Sequence, residues 1–591
     1  MVSEAVSGFL SAGKWGELLG KHARSEEPGK LSFWQLLAYS FGGMIGSGWL
    51  LGAGESAAVA GERAWASWLL GGAAMLVIGM VMMELGRAWG QDGGLVWWPF
   101  NSSGPRVALV VVAAIWIFYS LNPASEAAAA VQFGSHWLPW LFDHNQDRLT
   151  WPGVGVAALL VVLLVMANLL GLRAITRITW WAGILKVVVP VMVLGLLIRS
   201  GFSGHAQPAQ SAARGGWGSI LTAITGGGVI YTYIGFQAPI DFGGQARNGR
   251  RDIPRAVIAP IVSGIIFFPL FQYLSARNGF IGSGWNGVSY DSPYARLAVG
   301  VAIWHLSLAM LVRIDTIASP LGSGLVFSAA LAHTVEDIGS QQLIALGGTE
   351  PQGEDPGPKT ARTRAWPVLA VNLLISLAFL PLMRNWIGLV DASGVITVFV
   401  YAMPSVSHAA LVKSRPPTVA RVVGRLRKPL RHFAPASFWL MTLILYWADF
   451  DVLTLGTGLT VALALLLMRL RPRRWKGAER PEWDERQRTT WSEWPDSRRP
   501  VMWLFSYFLG LVVLCWLRQH GPAGPMTWLW FALALGLGMF AFRQLVNSSD
   551  VYMRKHPPDE QPQQKPAGGR HSTRTLRHGH AVGAGAGDRL A

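Results

Sequence analysis

A succession of apolar runs, each about as long as a bilayer is thick, constrains this chain more than any other feature. The runs lie at about 33–60, 65–89, 105–133, 153–171, 178–199, 217–241, 254–276, 298–332, 366–383, 386–411, 433–449, 452–470, 501–518 and 525–546. An α-helix rises about 1.5 Å per residue, so roughly 20 apolar residues cross the hydrocarbon core. Backbone polar groups in lipid must pair within the segment, which makes helices the expected form of every run. With 51% hydrophobic and only 14% charged residues, the sequence describes an all-α, polytopic membrane protein of about fourteen spans. The first run is long, lies inside the chain and lacks a small-residue cleavage site, so it reads as a span and not as a signal peptide.

Charge orients the spans. The net charge is +17, but the basic residues cluster beside spans, at Arg247–Arg255, Lys413–Arg431 and Arg469–Lys476. Each cluster follows an even-numbered run, whereas His136–Pro152 and Gly279–Pro293 hold few cations. The positive-inside rule then makes both termini cytoplasmic, in a protein of the cell membrane. The basic residues need no nucleic acid to explain them. A single cysteine, Cys515, excludes a disulfide framework and a cysteine metal site. No nucleotide-binding loop, metal-ligand cluster or nucleophile with a positioned base occurs, so neither an enzyme nor a cofactor is expected.

The expected organisation is a cytoplasmic segment 1–32, a core 33–411, further helices 412–546 and a tail 547–591. The additional helices carry a charged, Trp-containing cytoplasmic loop at about 471–500. The tail is rich in Gly, Arg, His and Pro and is expected to be disordered.

Two runs are interrupted. Gly46, Ser47 and Gly48 fall in the middle of the first, where each glycine costs about 1 kcal/mol against alanine in a helix. Such a stretch is either a close-packing surface or a break whose bare N–H and C=O groups line a site. The sixth run, Thr225–Gly244, holds several glycines and Pro239. Two broken spans five apart are the pattern of two inverted five-span repeats, about 33–199 and 217–411, sharing a midplane site.

The segments GMIGSGWLL (Gly43–Leu51), YTYIGFQAPIDFGGQARNGRRDIPRAV (Tyr231–Val257) and IDTIASPLGSGLVFSAA (Ile314–Ala330) resemble the amino acid–polyamine–organocation superfamily of permeases. The stretch YSLNPASEAAAAVQF in span three is similar to that of its aspartate–proton antiporter branch. The likeness runs from about Ser32 to Leu411. It implies two inverted five-helix repeats and an amino acid substrate. There are two departures. Gln245 stands where the family usually has glutamate, and His333 where it often has arginine.

An amino acid brings a carboxylate and an ammonium, and a broken helix offers one pole to each. The N-terminus of the second half of span one suits the carboxylate, at Ile45, Gly46, Ser47 and Gly48, with the Ser47 hydroxyl as an added donor. The ammonium suits carbonyls at the break of span six. The resemblance assigns these to Tyr231 and Ile234, beside Gly235, with the Tyr231 ring as a lid. Phe236 is the second aromatic candidate, and core packing is the alternative for both rings.

Lys186, with apolar neighbours on both sides, is costly at membrane depth and marks a functional position unless it snorkels. The resemblance matches it to a span-five lysine that replaces a sodium ion in some proton-coupled members. Ser319 and Ser323 of span eight are the polar groups expected near it. Glu84 and Arg87 are expected to face cytoplasmic water. Glu126 lines the pathway or pairs with a cation. Arg313 and Asp315 face different sides of their helix, and Arg313 counters the substrate, Glu126 or Asp391. The expected function is proton-coupled transport of a zwitterionic or acidic amino acid. A non-transporting amino acid sensor is the alternative.

Overall fold

The first span starts where Ser32 caps it. The Ser32 hydroxyl accepts from the Gln35 N–H while the Gln35 side chain returns to the Ser32 backbone, satisfying two donors that a helix start leaves bare. This computed structural model describes residues 30–170, 172–202, 216–278, 293–299, 302–303, 306–340, 358–426, 432–470, 492–522 and 525–558. The N-terminal segment, the linker after span eight, most of the loop 471–500 and the tail beyond 558 lie outside the described residues.

Among the described residues, ten helical stretches are long and apolar enough to cross a membrane. One of them, Phe33–Ala88, contains spans one and two. The doubly interrupted sixth span and two shorter apolar helices, Leu369–Met383 and Phe433–Trp447, bring the helices into step with the fourteen apolar runs. Some boundaries move. Span five is Leu172–Phe202 and span eight is Leu308–Ser340. The last helix, Pro525–Lys555, continues through nine residues expected in the tail. Ser549, Tyr552 and Met553 are buried there, and burial supplies what composition did not.

Pairing between helices follows a regular order. Span two (Ala64–Ala88) packs along span seven (Gly249–Arg277), and span three (Pro105–Gly134) along span eight. Span four (Trp151–Ala167) packs along span nine (Pro358–Met383). Each of these three helices meets the fifth after it, as two inverted five-span repeats would require. Span three is buried along its whole apolar window. The helices after the core lean on span ten, Trp386–Ser414, and on span three.

Both breaks are backbone events. Span one is helical over Phe33–Met44 and again over Gly48–Ala60. Span six is broken twice. It consists of Trp217–Gly226, Val229–Tyr233 and Ala238–Asp241. Gly228 (φ +71°) and Gly235 (φ +119°) sit at the two interruptions, in conformations that L side chains rarely adopt. The two spans touch through bare backbone. A Cβ on Gly43 would lie 3.0 Å from the Gly235 Cα, and one on Gly235 would overlap the peptide joining Gly43 to Met44.

Candidate functional site

The break in span one exposes the N-terminus of the half-helix Gly48–Ala60, and a carboxylate occupies it. The Ser47 N–H donates to Glu126 Oε2 at 2.8 Å. The other oxygen of Glu126 accepts from the Tyr231 hydroxyl at 2.9 Å, and that hydroxyl also meets Ser125 Oγ at 2.7 Å. Glu126 is 1% exposed. Spans one, three and six therefore converge on one carboxyl group, held by a helix N-terminus and a phenol.

Gly46 follows from the same arrangement. A Cβ there would lie 2.9 Å from the Glu126 Cδ and from the Ser323 Cβ. The Ser47 hydroxyl does not cap its own helix. It accepts instead from Trp386 Nε1 at 2.7 Å, and the Trp386 ring stands edge-on to Tyr231, 6.1 Å between centroids. Gly48 has a packing reason as well, since a Cβ there would overlap Thr232 of span six. Close packing and a bare helix end, alternatives in the sequence, coexist at these glycines.

The first half of span one ends in carbonyls without helical partners, and three side chains meet them. Lys186 donates from Nζ to the Gly42 oxygen at 2.7 Å. Ser323 Oγ donates to the Gly43 oxygen at 2.8 Å, and Ser319 Oγ to the Ile45 oxygen at 3.2 Å. Lys186 is 1% exposed, so it does not snorkel. Gly322 makes room for it, because a Cβ there would lie 2.8 Å from the Lys186 Cε. The ammonium thus sits at the negative pole of one half-helix, while Glu126 sits at the positive pole of the other.

The remaining expected residues divide. The Tyr231 carbonyl accepts from the Ile234 N–H at 3.0 Å, which leaves it one lone pair. The Gly235 N–H donates to Gln237 Oε1 at 2.8 Å. Phe236 is fully buried. Its ring packs on Tyr401, 5.4 Å between centroids, and its carbonyl accepts from Ser40 Oγ at 3.3 Å. Phe236 thus has the core contacts that the alternative for the rings describes. Glu84 does not face water. It is fully buried and pairs with Arg87 at 2.7 Å, because an interior carboxylate needs a cation.

Below the second break, Asp241 accepts from the Tyr119 hydroxyl and Gln237 from the Tyr401 hydroxyl at 2.8 Å. Further along, Gln245 Nε2 and His333 Nε2 are 2.8 Å apart. His333 Nε2 also lies 3.5 Å from Asp92 Oδ1, which accepts from the Gly244 N–H at 2.9 Å. The two positions at which the sequence departs from the resemblance are therefore partners in one contact.

Sequence reasoning singled out Glu126 without placing it. It missed Trp386, one of 29 tryptophans, for which no local signal exists. Gly228 was visible as the third glycine of a triplet. Among the described residues, no group of three or more His, Cys, Asp or Glu could hold a metal ion.

A family model described as amino acid permease matches residues 31–469, so the likeness extends past span ten through span twelve. The glutamate/serine transporter AimA of Bacillus subtilis (strain 168) is 27% identical over 519 residues, covering 84% of this chain and 88% of that protein. The aspartate-proton symporter of the same organism is 28% identical over 455 residues, covering 74% and 83%. Among solved structures, Mhp1, a nucleobase-cation-symport-1 family transporter in a closed conformation, covers 75% of this chain and 95% of its own at 12% identity and a TM-score of 0.42.

Proposed function

The chain belongs to the amino acid permease family, and from that premise we propose that it is a secondary transporter that carries a small acidic or hydroxyl-bearing amino acid with protons by alternating access. The observation that carries this reading is the Glu126 carboxylate on the Ser47 N–H and the Tyr231 hydroxyl. A site that holds a carboxylate between two helix breaks is built for the carboxylate of an amino acid, and Glu126 is its resident stand-in. A substrate carboxylate takes the Ser47 N–H when Glu126 withdraws, and withdrawal is cheapest once Glu126 is neutral. The names of the two relatives, a glutamate/serine transporter and an aspartate-proton symporter, support the substrate class. So does the cationic Lys186, which disfavours polyamines in the pathway.

Lys186 supplies the coupling. Its ammonium ties span five to the half-helix Phe33–Met44, at a point where Ser319 and Ser323 of span eight hold neighbouring carbonyls. Loss of its proton removes the charge that makes this tie strong and frees the three-helix seam to rock. The basic loops support cytoplasmic termini.

The test is uptake of labelled L-glutamate, L-aspartate and L-serine into proteoliposomes under an imposed pH gradient, for wild type and Glu126→Gln. Wild type accumulates at least one of them. Glu126→Gln, which keeps the shape but loses the titrating group, binds it with little pH dependence. Binding without accumulation by wild type would mark a sensor. An unchanged pH dependence in Glu126→Gln would remove Glu126 from the mechanism.

A further inference from the structure

Asp315 of span eight takes part in none of the contacts above. It is 0% exposed, and neither of its carboxylate oxygens meets a hydrogen-bond partner among the described residues. Asp315, Ser319 and Ser323 are spaced by four, so they form one stripe along Leu308–Ser340. The serines show where the stripe looks, because both hold carbonyls of the break in span one. Lys186 of span five reaches this same helix two turns further on, where a Cβ on Gly322 would lie 2.8 Å from its Cε. Arg313, two residues earlier, falls on another side of the helix.

An ionised carboxylate buried without a donor costs several kcal/mol, and a carboxylic acid avoids that cost. Asp315 therefore suits a proton in this conformation. We infer that Asp315 is a second proton-binding site, which exchanges its proton with Lys186. In the step, the Asp315 O–H bond breaks and an N–H bond forms on the neutral Lys186 amine. The product is a carboxylate facing an ammonium, and nothing is oxidised or reduced. The pair then holds the opposite charges that the buried acid alone could not. With cytoplasmic termini, span eight enters from outside, so Asp315 lies on the outer side of Ser319 and reloads Lys186 from there. This direction rests on the transport reading. The proton site itself does not.

Asp315→Asn keeps the side chain's shape and removes its titration, and two measurements on the full chain in lipid test it. The first is the infrared difference spectrum between acid and alkaline buffer. Wild type loses a protonated-carboxyl stretch that Asp315→Asn lacks. The second compares accumulation of labelled L-glutamate, L-aspartate or L-serine under a pH gradient with equilibrium exchange of the same compound. In Asp315→Asn accumulation falls by about tenfold or more while exchange stays within about twofold, and Asp315→Glu recovers part of the loss. Identical spectra, unchanged accumulation, or loss of exchange together with accumulation would overturn the inference. A wild type that takes up none of the three, yet shows the spectral difference, would sink the transport reading and leave the proton site standing.

Discussion

Gln245 and His333 approach to 2.8 Å between Nε2 atoms, across 88 residues of sequence, with Asp92 3.5 Å from the histidine. A neutral amide and an imidazole thus meet where the family resemblance leads one to expect a glutamate and, often, an arginine. The Phe242 ring lies on His333, 5.0 Å between centroids and 21° from parallel, so the contact is held from the side as well.

Changing one partner alone is expected to hurt more than changing both. Gln245→Glu sets a second carboxylate beside Asp92, and His333→Arg adds a cation to a site built for imidazole. The double variant restores an ion pair. A double-mutant cycle on uptake should return a favourable coupling of about 1 kcal/mol. Additive effects would show that the two side chains act independently.

Lys186→Ala leaves the Gly42 carbonyl without its donor. Accumulation under a pH gradient should vanish while amino acid binding survives. Gly322→Ala should reproduce part of this, because its Cβ would lie 3.2 Å from Nζ and push the ammonium aside. Sodium should make no difference to wild type. At 4 Å and an effective dielectric of 20, an ion beside the ammonium is repelled by about 4 kcal/mol. Strict sodium dependence, or undiminished proton-driven uptake by Lys186→Ala, would sink the mechanism.

Gly235→Ala is expected to be among the most damaging methyl additions. Its φ of +119° is strained for any L side chain, at about 1–3 kcal/mol. The added Cβ would also overlap the Gly43–Met44 peptide, where neither backbone can yield. Thermal unfolding in detergent should drop well below wild type. Gly183→Ala serves as the control, since its Cβ meets nothing within 4 Å, and it should unfold with wild type.

The end of the last helix docks through Asp496. Hydrogen bonds from Lys555 Nζ at 2.7 Å and His556 Nε2 at 3.0 Å hold the Asp496 carboxyl below the usual carboxylate range. A group depressed in the folded state stabilises it above the unfolded pKa, and that help is lost as pH falls through the folded value. Hydrogen exchange over residues 547–558 should therefore rise in acid. In Asp496→Asn it should already be high at neutral pH and change less with acid. Equal protection in the two proteins at neutral pH would remove Asp496 from the docking.

Apolar runs and helix-breaking residues are local properties, so the spans, the break at Gly46–Gly48 and the break near Gly235 were all legible along the chain. The depth of Lys186 was legible too, because its neighbours on the same helix set the cost of its charge. Partner choice was not. Ser47 and Glu126 are 79 residues apart, Trp386 and Ser47 are 339 apart, and any buried carboxylate or tryptophan satisfies composition equally well. Only the packing of span three between the broken spans selected Glu126 for the helix end. The same packing set Phe236 against Tyr401 and Tyr231 against Glu126. The physical reason is that hydrophobic burial is non-directional and can be read as a pattern. Hydrogen bonds to a helix terminus demand distance and direction that exist only once the helices have met.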